Sequence, residues 1–574
     1  MFRLLVLSFF PLFLPAQEFT QRDASVPMRD GVKLASTVFL PSRPGPYATL
    51  LVRTPYNRGG VSRLATYLAG RGYAVMTQDC RGRFQSEGSF YAFVNEGEDG
   101  YDTIEWIAKQ PWSNGKVGTF GGSYLAWDQL YTAAFQPPHL SAMFLIVGGS
   151  NFYQDYAFPG GAPNLGWSMW LAQSALTSKQ AASDASRPNP QTWMQLPPRQ
   201  RGVFFDSFSD HRRMFADYFA HPNFDAYWKQ LGFFTEDSYK KVKDVPALFL
   251  SGWYDYFLEG TLKNYLGLKA TQKSEKKLIV GPWPHGTGRA ECGDAAFGPS
   301  AAYNDGEWIA DWFDHVWNAS PFRVLPSDAV SLFRMGGGGG GRSSTNKWQN
   351  GGEWVGHTAW PPVQSKSARY FFSAGATLHT AAPKIGGSVS YVYDPANPVP
   401  TVGGRYTVGA APPCAQDQRP LDNRADVLRF STAALDQPLD IAGKVRVRMF
   451  VSTNAPDTDF TAKLIDVYPD GYAMILADHQ LRLRFRESFE RPKLFRRGDV
   501  EAIEFDLGSL SNRFAKGHRI RLDVSSSNFP KFEPNANTGE DPTSTGPGVK
   551  ATNRVFWGAA QSSYLELPVL TSKQ

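Results

Sequence analysis

Cysteine is scarce in this chain: Cys80, Cys292 and Cys414 are the three in 574 residues. So few, so far apart, exclude a fold built on a disulfide framework, and an odd number leaves at least one thiol free. One bridge is compatible with an oxidising compartment; Cys80, directly after Asp79, reads as a small buried residue at a strand end. Charge of one sign is not concentrated. The formal net charge is +6 and the basic residues are spread along the chain, which argues against nucleic acid or an anionic membrane as partner. Long apolar runs are missing after the first sixteen residues, so no membrane span is expected. Metal-ligating patterns are missing too: there is no His-Glu-x-x-His and no close Cys/His pairing, so neither a metal nor another cofactor is expected. The glycine run Gly336 through Gly341 has no Gly-Lys-Ser/Thr after it and cannot be a phosphate cradle; it reads as a flexible surface loop.

What is present begins with Met1-Phe2-Arg3, a short apolar stretch from Leu4, and Ala16. A basic start, an apolar run too short to cross a bilayer and a small residue at the cut have the form of a secretory signal over 1–16, placing the mature protein outside the cytoplasm, secreted or periplasmic. The remainder is too long for one core. From 17 to 150, buried-strand runs such as Ala48–Val52 and Tyr73–Thr77 alternate with helical stretches such as Ser62–Arg71 and Glu98–Lys109, which predicts a mostly parallel sheet covered on both faces. A hairpin around Asp30-Gly31 precedes them. Between 151 and 243 the strands stop and helical segments such as Arg201–Ala220 take over, as in a cap inserted over a sheet edge. Strands resume over 244–345, where Trp308, Trp312, Phe313, Val316 and Trp317 mark an amphipathic core helix. From 346 to 574 helix signals nearly vanish, and short strands between Pro, Gly and Asp turns predict an all-β sandwich, a jelly roll. There Arg482, Arg484 and Arg486 alternate with Leu483 and Phe485 and read as the wet face of a strand over Leu481–Phe485.

The stretch Lys116 to Trp127 is a short apolar strand, a glycine turn with Ser123 at its apex, and the start of a helix. That is the build of a nucleophile elbow, which exposes a serine at the carboxyl end of a strand. Asp255 follows the buried run Val245–Ser251, and His285 follows the run Lys277–Val280 in the setting Gly281-Pro282-Trp283-Pro284-His285. The chain order Ser, Asp, His is that of the α/β-hydrolase fold.

Arg53-Thr54-Pro55-Tyr56, Gln78-Asp79-Cys80-Arg81-Gly82-Arg83 with Ser86-Glu87-Gly88, Gly122-Ser123-Tyr124, Gly252-Trp253-Tyr254-Asp255 and Gly281–His285 occur in this order, followed by Asp417-Gln418-Arg419-Pro420 and Asp457-Thr458-Asp459-Phe460. Together they resemble the family of cocaine esterase-like hydrolases, α-amino-acid ester hydrolases and X-Pro dipeptidyl-peptidases. The resemblance covers nearly the whole mature chain; Ala126 replaces the last glycine of the family's elbow. It implies an α/β-hydrolase domain with a helical cap and a C-terminal jelly roll. It also implies Ser123, Asp255 and His285 as catalytic residues, with an oxyanion hole made by the Tyr124 N–H and the Tyr56 hydroxyl.

The amino-ester branch of that family binds the substrate ammonium with acids two and three places after the catalytic aspartate. Phe257 and Leu258 stand there, and Asp155 in the cap is a lone candidate charge. Trp253, Tyr254, Tyr256 and Phe257 make the expected substrate site aromatic, suited to an uncharged, partly apolar acyl group. The expected function is hydrolysis of a small ester or amide through an acyl-enzyme. X-Pro dipeptidyl-peptidase or amino-acid ester hydrolase activity is the alternative, and a non-catalytic glycan- or polymer-binding protein a more distant one. A homo-oligomer is compatible with the sequence.

Overall fold

The structure is a computed structural model that describes residues 19–181, 189–286, 288–323, 328–405, 413–541 and 547–571. The expected signal over 1–16 lies outside them. The first sheet opens with β1 (Phe19–Pro27), β2 (Lys33–Pro41), β3 (Tyr47–Thr54), β4 (Ala74–Asp79), β5 (Ser113–Gly122), β6 (Leu140–Ile146), β7 (Ala247–Gly252) and β8 (Lys276–Gly281). β1 and β2 form the antiparallel hairpin, and β2 pairs antiparallel with β4. The rest run parallel in the order β4, β3, β5, β6, β7, β8. Their middles read as unbroken apolar runs because helices cover both faces; Leu50, Leu51 and Val52 of β3 are all buried. Helix α1 (Ser62–Gly70), α2 (Glu96–Ala108) and α3 (Tyr124–Ala134) supply part of that cover. The helix Asp305–Asn318 supplies more, burying Trp308, Trp312 and Phe313.

The segment between β6 and β7 is helical, as the loss of strand patterning implied. It differs in detail: over Arg201–Ala220 there is a 3-10 stretch to Phe205 and an α-helix from Ser209, not one helix. Beyond β8, the strand Val330–Gly336 pairs with β8 on one side and with Gly352–His357 on the other. The first sheet therefore continues past the boundary expected at 345. Nor is the glycine run wholly loose. Gly336 ends that strand, and the Gly336 and Gly338 N–H groups donate to the Asn350 side chain and carbonyl at 2.9 and 2.8 Å.

The C-terminal part is all-β, with Leu439–Thr453 paired antiparallel to Glu501–Phe514, and Asp459–Val467 lying between Ala473–Arg482 and Arg519–Ser525. The expected strand over Leu481–Phe485 ends at Arg482, and Leu483–Phe485 is a 3-10 turn. Its arginines are not a wet face. Arg482 is buried against Asp459 (2.9 Å), Arg484 against Asp457 (2.8 Å), and Arg486 reaches Glu501 (2.6 Å). Alternation suggested solvent, but a buried guanidinium is stable where a carboxylate meets it, and Asp457 and Asp459 are those carboxylates. Cys292 and Cys414 form a disulfide; Cys80 is free and buried.

Candidate active site

Ser123 sits between β5 and α3 with φ 60° and ψ −123°. A non-glycine residue held there stores roughly 1–3 kcal/mol of backbone strain. The surroundings enforce it: the Ser123 N–H donates to the Ile146 carbonyl at 2.9 Å, while Ala126 N–H and Trp127 N–H close on the Ser123 carbonyl. Gly121 has φ 143°, and a Cβ there would lie 2.6 Å from Leu125 Cβ, so only glycine fits. Ala126 is accommodated because Gly148 faces it; a Cβ on Gly148 would stand 3.0 Å from the Ala126 methyl. At the first position of α3 the Tyr124 N–H has no acceptor within its helix and remains open to a ligand oxygen.

Asp255 and His285, each just past the end of a neighbouring parallel strand, are joined by a 2.7 Å contact between Asp255 Oδ2 and His285 Nδ1. Asp255 is fully buried, and its other oxygen accepts the Phe257 N–H at 2.6 Å. That leaves the imidazole a fixed orientation. The His285 ring stacks on Tyr256 with centroids 4.4 Å apart. Tyr256 and Phe257 line one small pocket together with Ser123, Tyr56 and Tyr124. Among the described residues no hydrogen bond joins the Ser123 hydroxyl to His285.

Tyr56 follows β3. The residue is 46% exposed overall, yet its hydroxyl lies in the pocket, accepting a 2.8 Å hydrogen bond from Trp170 Nε1. Burial pushes its pKa up to about 12, with the hydrogen-bonding groups of Trp170 and Ser123 pulling the other way. Arg83 fixes the preceding residue: its Nε donates to the Pro55 carbonyl at 2.9 Å, and its Nη1 reaches the Ser174 carbonyl in the cap.

Two expected site residues are elsewhere. Trp253 is fully buried, its Nε1 donating to the Phe333 carbonyl, and Tyr254 donates its hydroxyl to the Ile475 carbonyl of the all-β part. Both follow β7 closely, but their side chains pack toward the C-terminal domain. Asp155 is not a free charge either. Its Oδ2 accepts the Ser150 and Asn151 N–H groups at 2.7 and 3.0 Å, and it borders a different cavity. Burial raises its pKa to about 6, opposed chiefly by Lys263. Residues not singled out from sequence complete the pocket: Phe93, Trp127, Phe152, Tyr156, Trp167 and Trp170. The heavy aromatic content was the signal for them, but aromatic residues spread through a core give no address.

A serine on a strained strand-to-helix turn and an Asp–His pair just past later strands of one parallel sheet are features of the α/β-hydrolase fold, and the comparisons with known proteins show a serine hydrolase of that fold. Residues 30–287 match the X-Pro dipeptidyl-peptidase (S15 family) model and residues 326–566 the X-Pro dipeptidyl-peptidase C-terminal non-catalytic domain. The chain is 34% identical to cocaine esterase of Rhodococcus sp. (strain MB1 Bresler), across 96% of this chain and 98% of that one. Among solved structures it resembles an aminopeptidase from a marine sediment Thaumarchaeota archaeon (25% identical, 99% of both chains, TM-score 0.83). It also resembles an α-amino acid ester hydrolase (26% identical, 98% of both chains, TM-score 0.80). The chain belongs to the CocE/NonD hydrolase family, which joins serine esterases with X-Pro dipeptidyl-peptidases.

Proposed function

We propose that the protein hydrolyses esters of short, uncharged acyl groups through an acyl-enzyme on Ser123. His285 takes the serine proton as the oxygen attacks the carbonyl carbon, and Asp255 holds the imidazole and stabilises its charged form. The proton then passes to the leaving oxygen, and water repeats the sequence on the acyl-enzyme. The Tyr124 N–H and the Tyr56 hydroxyl stabilise the developing oxyanion. Hydrogen bonds between catalytic groups often tighten only when substrate is bound, which accommodates the open Ser123–His285 pair.

The observation that carries this reading is the pocket around Ser123. It holds about 20 Å³, and none of its lining residues is charged. So small a space favours a short acyl group over a bulky one. An ammonium placed there would lose its hydration with no carboxylate to replace it, which costs several kcal/mol. This favours simple esters over α-amino esters and X-Pro dipeptides. A fluorophosphonate probe tests it: wild-type protein should label at Ser123, and Ser123→Ala should not label while keeping its circular dichroism spectrum and melting temperature. Labelling that survives in Ser123→Ala would place the nucleophile elsewhere.

The reading also places the mature enzyme outside the cytoplasm. The form of residues 1–16 supports this, and so does the Cys292–Cys414 bridge, which persists in oxidising compartments. N-terminal sequencing of protein recovered from the periplasm or medium should start at Gln17; a chain starting at Met1 would contradict it.

A further inference from the structure

Among the described residues no carboxylate meets Arg83 at ion-pair distance, although its side chain is fully buried. Arg201 and Arg482, also among the most deeply buried side chains, pair with Glu533 and Asp459. The acceptors of Arg83 are uncharged: the Pro55 carbonyl at 2.9 Å, the Ser174 carbonyl at 3.1 Å and the Thr177 hydroxyl at 2.7 Å. Burying a guanidinium without a counter-charge costs free energy, and burial lowers its pKa accordingly. The loop that delivers it is strained as well. Gly82 and Phe84, on either side of Arg83, have φ of 71° and 43°. A Cβ on Gly82 would stand 2.3 Å from the Phe90 nitrogen, and Phe84 holds a left-handed conformation that bulky residues rarely adopt. The Phe84 and Phe90 rings then lie against the guanidinium, 5.2 and 4.9 Å away. Residues held in such sparse conformations gather at functional sites.

The two carbonyls that Arg83 bonds belong to the two elements that hold the Tyr56 hydroxyl. Pro55 is the residue before Tyr56. Ser174 stands in the last turn of the cap helix Leu165–Ala175, whose Trp170 donates to the Tyr56 hydroxyl at 2.8 Å. Trp170 and Ser174, four residues apart, lie on one face of that helix. The end carbonyls of a helix have no partner within it and carry the negative end of its dipole, so a guanidinium suits them. His211 adds to the joint, its Nε2 standing 3.1 Å from the Ser174 hydroxyl. Burial and the nearby Arg83 push the pKa of His211 down to about 3, so it brings no second charge. Tyr56 depends on ties of this kind because it is half exposed and packing alone does not hold its ring. Its own N–H donates to Thr54 Oγ1 at 3.0 Å, which fixes the turn but not the hydroxyl.

We propose that Arg83 is the positioning residue for the Tyr56 hydroxyl, one guanidinium spanning the turn that carries Tyr56 and the cap helix that holds its oxygen. The proposal rests on the reading of Tyr56 as an oxyanion donor. Arg83 acts through Tyr56 and Trp170: it keeps the two in register, so that the phenolic hydrogen stays aimed into the pocket. An oxyanion donor is effective only when its distance to the developing charge is held close to that of a good hydrogen bond.

A double-mutant cycle on p-nitrophenyl acetate hydrolysis tests it. Arg83→Met should lower kcat at least ~10-fold with KM little changed. In the Tyr56→Phe background the same replacement should change kcat by less than ~2-fold, because residues that act through one group are not additive. A purely structural role would lower kcat by equal factors in both backgrounds; that result, or wild-type kcat in Arg83→Met, overturns the proposal. Arg83→Lys is read in the same cycle, and stands alone if Arg83→Met does not fold. An ammonium keeps the charge but not the planar fork that spans both carbonyls, so kcat should fall here too, and wild-type kcat overturns the proposal. A loss of kcat in Tyr56→Phe with an additive cycle sinks the proposal alone. If Tyr56→Phe keeps wild-type kcat while Ser123 labels with fluorophosphonate, the oxyanion role of Tyr56 falls and the proposal with it. If the ester is not cleaved and Ser123 does not label, the esterase reading itself falls, and the proposal again with it.

Discussion

At Tyr56 a single oxygen accepts from one group and is left free to donate to another. Trp170 Nε1 occupies its acceptor side at 2.8 Å, so the phenolic hydrogen is available for the oxyanion role proposed above. A raised pKa keeps that hydrogen in place at any working pH. Tyr56→Phe deletes the donor and preserves the ring, so kcat should fall by about 100- to 1,000-fold with KM little changed. Near wild-type kcat in steady-state assays would make Tyr56 a rim aromatic. Legibility at this scale followed framing. Ser123, Asp255 and His285 stand out in the sequence because each lies just after a strand in a turn whose chemistry is rare, and the proposed triad rests on them. Trp253 and Tyr254 misled because nearness in sequence to Asp255 says nothing about which way a side chain leaves a sharp turn. Asp155 misled because its partners are backbone N–H groups, which no sequence pattern displays.

At the scale of elements, one buried cluster ties together the pieces that carry Tyr56 and Tyr124. Arg53, on β3 three residues before Tyr56, meets Asp128 of α3 at 2.7 Å and Glu96 of α2 at 3.1 Å. The Tyr124 hydroxyl donates to the other Glu96 oxygen. Cys80 lies within 4.8 Å of Glu96 and Asp128 as a metal ligand would, but the Arg53 guanidinium already supplies the cation there. Arg53 also stands 3.9 Å from the buried Asp99, so one guanidinium faces three buried carboxylates. Burial raises the pKa values of Glu96 and Asp128, with Asp99 adding to the first and Glu96 to the second, and that of Asp128 rises to about 8. In the unfolded chain Asp128 ionises near ~3.9. Between those values the folded protein holds a proton that the unfolded chain has released. The contribution to stability is therefore complete below pH ~4 and lost as pH rises through about 8. Asp128→Asn keeps an acceptor for Arg53 and removes the titration. Its melting temperature relative to wild type should thus climb from pH 5 to pH 8.5, and parallel melting curves across that range would show that Asp128 is ionised throughout. Sequence displayed the strands and helices that carry this cluster, and Arg53 within a motif, but the partners stand 43 and 75 positions away. No local periodicity reports a pairing at that distance.

At the scale of the molecule, the two sheets are not separate bodies laid side by side. The strand Val330–Gly336 runs parallel to β8 through Val330 to Leu332, and its last residues Met335 and Gly336 pair with Asn512 and Arg513 of the all-β part. One contiguous apolar core contains Val117 and Leu145 of the first sheet, Trp253 and Phe333 at the junction, and Met474 and Leu510 beyond it. Buried polar contacts cross the same junction: Arg405 Nε donates to the Trp253 carbonyl at 2.9 Å and the Ser509 N–H to Glu259 at 2.6 Å. The cap joins too, through the buried Arg201–Glu533 ion pair. If the all-β part unfolded alone, Trp253 and Tyr254 would be exposed, the cross-junction strand pairing would be lost, and Glu533 would leave a buried arginine unpaired, which costs several kcal/mol by itself. Partial unfolding is therefore no cheaper route than global unfolding, although chains of this length commonly come apart domain by domain. Differential scanning calorimetry of the whole protein should accordingly show a single endotherm, with loss of fluorophosphonate labelling coincident with it. Two resolved endotherms, with labelling surviving the first, would mean that the sheets fold independently and that the junction contributes little.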